Sequence, residues 1–115
     1  MTEKTIKIAG KDYPVIFNVQ TILNFEEGAN KSFFGEKFEK MWDRLVLISA
    51  AIYAKTKKQT LNIEALIENS DSSIFNEINL AFATVMELAA EFFNIPAIEP
   101  KEEVKEQAEE DDAKN

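Results

Sequence analysis

The side chains able to do chemistry in this 115-residue chain are almost all carboxylates: the sequence has 21 Asp and Glu but no His and no Cys. Without a thiolate, an imidazole or a disulfide framework, zinc centres and triad-type nucleophilic catalysis lack their usual ligands and bases. Thirteen of the 21 carboxylates lie before the C-terminal run, and among them Glu26-Glu27, Glu36, Glu39 and Asp43 stand at ordinary surface spacings. There is no Gly-rich phosphate loop and no nucleophile paired with a base, so we expect no enzyme, no cofactor and no metal site.

The other eight carboxylates crowd into "EPKEEVKEQAEEDDAKN". From Glu99 onward eight acids face three bases, a net charge of -5 out of -8 for the whole chain. Three readings are open for this run: a docking arm for a basic partner, a weak cation site at "EEDD", and a solvating extension. The run lacks the spaced oxygen ligands and the Gly of a calcium loop. With Val104 the only larger apolar side chain after Ile98, residues 99–115 are expected to be disordered or transiently helical.

The rest reads as one globular domain, residues 1–98, of mostly α, α+β class: an N-terminal β-hairpin followed by about four helices. Alternation of Ile6 and Ile8, then of Tyr13, Val15 and Phe17, predicts a hairpin over 5–17 turning at Ala9-Gly10-Lys11-Asp12, with Pro14 marking an unpaired edge or a bulge. Asn18 is a good N-cap for a helix over about 19–28 that ends at Gly28. Helical spacing from Phe38 to Tyr53 predicts a central buried helix over about 36–55, with Trp42 and Tyr53 in the core. Shorter signals place helices over 63–69 and 73–93.

The last of these carries Ile74, Phe75, Ile78, Phe82, Val85, Met86, Phe92 and Phe93 over an arc of roughly 200°, wider than a one-sided surface helix needs. Either it is sandwiched between the hairpin and the central helix, or part of the arc is a surface for self-association or a partner. The pair Phe33-Phe34 likewise either anchors a partner or closes one end of the core. The candidate partner-binding residues are therefore Phe33, Phe34, Phe75, Phe82, Met86 and Phe93.

No apolar run is long enough for a secretory signal at the N-terminus, and Glu77, Glu87 and Glu91 interrupt the longest apolar segment, which argues against a membrane span. A pI near 4.6, with no basic cluster larger than "KTKK", argues against general nucleic-acid binding.

One stretch carries a family likeness. "IKIAGKDYPVIFNVQTILNFEEGANKSFF" (Ile6 to Phe34) has an I-x-I-x-G-K-x-Y-x-V-x-F hairpin, the helix end "ILNFEE" and a G-x-x-K-S-F connection. It resembles the N-terminal part of tail assembly chaperones encoded by long-tailed bacteriophages and related prophages. It departs from them in having "EEGANKS" where a Thr-Gly pair often ends the helix. The resemblance implies a small, mostly helical, non-enzymatic protein of the infected cell's cytoplasm. Such a protein would hold the tape measure protein soluble and help recruit tail tube protein, in some cases as a homo-oligomer and in a short and a frameshifted long form. Two other classes fit the composition: an acidic inhibitor that mimics DNA, and a small structural subunit of the head-tail connection or tail completion.

Overall fold

The computed structural model describes residues 1–94, so the acidic run from Glu99 lies outside the described residues. It shows the expected class of fold: a two-stranded antiparallel hairpin, β1 (Lys4–Ile8) and β2 (Lys11–Val15), and then four helices. These are α1 (Val19–Ala29), α2 (Met41–Thr56), α3 (Ile63–Asn69) and α4 (Ile74–Phe92). One face of the hairpin, formed by Ile6, Ile8, Tyr13 and Val15, is buried. Strand β2 lies against α2 and β1 against α4, while α1 packs on α2.

The turn is tighter than the four residues suggested by composition. Ile8 pairs with Lys11, leaving only Ala9 and Gly10 to reverse the chain, with φ of 52° and 81°. Positive φ at both central positions is the type I′ geometry, whose hand matches the twist of a hairpin. Gly10 adopts it freely, but Ala9 pays for a Cβ in the left-handed region. The Glu77 carboxylate of α4 accepts the Ala9 N–H at 2.7 Å and ties the turn to the helix. Ala9→Asn should relieve the strain and keep that bond, raising stability by about 1 kcal/mol, seen as a higher urea midpoint.

Helix α1 begins at a reciprocal cap: Asn18 Oδ1 accepts the Thr21 N–H at 3.1 Å, and Thr21 Oγ1 accepts the Asn18 N–H at 3.0 Å. The buried Thr21 hydroxyl also donates to the Ile16 carbonyl at 3.2 Å, joining the residue that follows β2 to the helix. The helix does not stop at Gly28. It runs on to Ala29 and is closed by Asn30 in the left-handed conformation, φ 58°. Gly28 serves the approach of α1 to α2 instead, because a Cβ there would lie 3.0 Å from Val46 Cγ1.

Helix α2 starts at Met41 rather than near 36, because Phe38 takes a positive φ of 56° that a right-handed helix cannot include. The Phe38 N–H is bound by Glu36 Oε2 at 3.0 Å and its carbonyl accepts Arg44 Nε at 2.7 Å, so the unusual backbone is fully partnered. The conformation turns the ring inward, 5.3 Å from the Phe25 ring and 5.2 Å from that of Phe82.

Asp43, in the first turn of α2, is buried, and its carboxylate meets Lys31 Nζ at 2.8 Å; Glu36 meets the same ammonium at 3.2 Å. The hydrogen bonds that it donates, first to Asp43 and then to Glu36, hold the Lys31 ammonium above its ordinary value of 10.5. A raised folded value means that the stabilisation is complete below 10.5 and is lost as pH climbs through the folded value. The urea midpoint of the native chain should thus exceed that of Lys31→Met at neutral pH. That advantage should vanish at strongly alkaline pH, and its persistence there would contradict the pairing.

Candidate partner-binding groove

Helix α3 is only seven residues long, capped by Asn62 Oδ1, which accepts the Ala65 N–H at 3.0 Å. Two turns cannot bury apolar side chains on every side: Leu66 tucks into the core, as does Leu61 just before the helix, while Ile67, rotated by about 100° from Leu66, is left exposed. Between this helix and the first turns of α2 and α4 lies an open groove of about 470 Å³, within the range of ligand-binding clefts. Its floor is Leu45, Leu66 and Ile78, and its rim carries Trp42, Ile67 and Phe75. Trp42 is 48% exposed and Phe75 52%, so large aromatic surfaces stand beside the cleft instead of filling it.

The one carboxylate lining the groove, Asp71, is already engaged. Asp71 Oδ1 accepts the Ser73 N–H at 3.0 Å and the Ser73 hydroxyl at 2.6 Å. Those bonds, at the start of α4, hold the Asp71 carboxyl below its usual range. Such a site offers shape and apolar area, with no pair of groups placed to move a proton or attack a bond. Among the described residues no group of three or more Asp or Glu could hold a metal ion, and no helix is long and apolar enough to cross a membrane.

A second apolar feature lies at the far end of α4. Phe33 is buried, 8% exposed, with ring centroids 5.6 Å from Phe17, 6.0 Å from Phe25, 5.8 Å from Phe38 and 6.4 Å from Phe93. Its neighbour Phe34 is 62% exposed and stands edge-on to it at 5.4 Å. The pair is therefore divided: Phe33 closes the core, and Phe34 covers it from outside.

Of the other candidates, Phe82 is half-buried, beside Phe38 and beneath the Arg44 guanidinium, which lies 5.3 Å from its ring. Met86 is half-buried against the core, and Phe93 is partly exposed, packed on Phe33 and Phe34. Only Phe75 among the six lines the groove. Trp42 and Tyr53, expected in the core, are both exposed, and Trp42 and Ile67 are the groove residues that periodicity overlooked. The signal for Ile67 was present in the adjacent pair Leu66-Ile67 on so short a helix.

No family model matches this chain, and neither does any curated protein or solved structure.

Proposed function

We propose that this protein is a non-enzymatic tail assembly chaperone that binds apolar helical surface on a tape measure protein and assists tail tube assembly in the cytoplasm of an infected bacterium. The observation that carries the reading is the groove between α2, α3 and α4, rimmed by the exposed Trp42, Ile67 and Phe75. An amphipathic helix laid in such a cleft places i, i+3 and i+4 apolar side chains against its floor while the rim aromatics close over its flanks. The resemblance of Ile6 to Phe34 to tail assembly chaperones supports the same reading. Those residues themselves build the hairpin, the cap of α1 and the connection to α2, leaving binding to the later helices.

A chaperone must also let go. A shallow, open groove makes each contact weak, and a long helical client occupied by many copies gains hold through multivalency without a single tight interface. The acidic run from Glu99 would keep such an array soluble. Co-expression with the tape measure protein of the same genome tests the proposal. The soluble fraction of that protein should rise several-fold, and an unchanged fraction would overturn it.

A further inference from the structure

The hairpin has two edges, and they are not equivalent. A two-residue turn between Ile8 and Lys11 makes Ile8↔Lys11, Ile6↔Tyr13 and Lys4↔Val15 the pairs that exchange backbone hydrogen bonds. The backbone groups of Thr5, Lys7, Asp12 and Pro14 then point outward. On β2 the outward row includes Pro14, which has no N–H, so this edge is blunted in the usual manner of natural sheets. On β1 the outward N–H and C=O groups of Thr5 and Lys7 have no hydrogen-bond partner among the described residues.

The open edge borders a second groove of about 320 Å³, walled by Thr5, Ile6 and Lys7 on one side and by Glu77, Leu80, Ala81 and Thr84 of α4 on the other. Leu80, whose side chain is large and apolar, is 62% exposed there. The helix is pinned alongside the strand, running in the opposite direction, by two contacts: the Ala9 N–H to Glu77 at 2.7 Å, and Lys4 Nζ to Glu87 at 2.9 Å. The result is a fixed trough with unpaired strand groups on one wall and apolar helix surface on the other.

We propose that this trough binds an extended segment of another protein, which adds to the hairpin as a third strand beside β1. Main-chain bonds to Thr5 and Lys7 hold such a strand, and alternate side chains set its specificity. Those pointing toward α4 meet Leu80 and Ala81 and must be apolar. Those on the opposite face flank Thr5 and Lys7, and an acidic residue there suits Lys7, whose ammonium is exposed and held no closer than 4.0 Å by Asp12. A second copy of this chain is the poorer occupant. Its own β1 arrives with an α4 against the same face, and two such helices would compete for the space beside the paired edges. An extended segment brings no helix. This inference does not depend on the identity of the client in the α2–α3–α4 groove.

The test uses the full-length, nitrogen-15-labelled chain and a capped seven-residue peptide of alternating valine and threonine with a central glutamate. At saturating peptide, amide exchange at Thr5 and Lys7 should slow by about tenfold or more, while that of Asp12 is unchanged. A peptide with proline flanking the glutamate should have no effect, and Leu80→Glu, at an exposed position, should weaken binding about tenfold without lowering the melting temperature. Protection confined to Trp42 and its surroundings, or none at Thr5 and Lys7, would overturn the proposal. So would protection of those amides without peptide, whether it rises with protein concentration, which would assign the edge to a second copy, or disappears on truncation after Asn94, which would assign it to the chain's own C-terminal residues.

Discussion

The double substitution Trp42→Glu, Phe75→Glu is expected to abolish solubilisation of the tape measure protein while the chain itself stays folded. Both side chains are about half exposed at the rim of the groove, so their replacement opens no cavity and should change stability by about 1 kcal/mol or less. Their contribution to binding is different in kind. Aromatic anchors beside a hydrophobic cleft cost about 2 kcal/mol or more each when truncated, and a carboxylate facing the client adds a desolvation penalty. At 1.4 kcal/mol per factor of ten, the pair together weakens each contact by about a thousandfold.

The comparison to make is the soluble fraction of co-expressed client with native and variant chains, alongside thermal melts of each chain alone. Equal solubilisation by the folded variant would remove the groove from the mechanism. Trp42 is the only tryptophan in the chain, so its emission reports directly on the rim. Client or helical peptide entering the groove should shift that emission to the blue.

Phe33→Ala should have the largest effect on stability, a loss of about 3–5 kcal/mol. Its ring is buried among Phe17, Phe25, Phe38 and Phe93, drawn from the end of the hairpin, α1, the α1–α2 connection and the end of α4, so its removal leaves a cavity where four segments meet. The backbone around it is fixed as well, with the Phe33 N–H bound by Glu26 Oε2 at 2.9 Å, and little collapse into the space is available. For a domain whose total stability is about 5–15 kcal/mol, a loss of that size brings unfolding within reach of growth temperature. Phe34→Ala, one residue away, should cost about 1 kcal/mol or less, since the ring is mostly solvated and loses only edge-on contacts. Urea unfolding of the two variants side by side decides whether the pair is divided as described. Equal losses would refute it.

Much of this architecture is visible in local sequence. Alternation in Ile6, Ile8, Tyr13 and Val15 has the period of a half-buried strand, Asn18 and Asn62 are cap residues, and the run from Leu45 to Ala54 is apolar on nearly all sides, so hairpin and helices follow from short-range rules. The places where local rules mislead are those where a distant group changes the outcome. Propensity puts Trp42 inside and Asp43 outside. The structure reverses them because Lys31, from the α1–α2 connection, supplies the buried carboxylate with a partner and leaves the indole at the surface. The helix expected from residue 36 is delayed to Met41 because Phe38 gives up helical backbone to put its ring against Phe25 and Phe82, with Glu36 and Arg44 satisfying the peptide groups it exposes. Gly28 lies inside α1 close against Val46, not at a turn.

Composition alone excludes thiol and imidazole chemistry, since neither residue type occurs. Local pattern specifies the elements, because hydrogen bonding within a strand pair or a helix depends on neighbours in the chain. Tertiary structure alone distributes the aromatic side chains between core and surface. Burial is a property of the whole packed chain, and the wide apolar arc of α4 is divided accordingly. Ile78, Ala81, Val85 and Leu88 face inward, Phe75 borders one groove, Leu80 another, and Phe93 closes the cluster around Phe33.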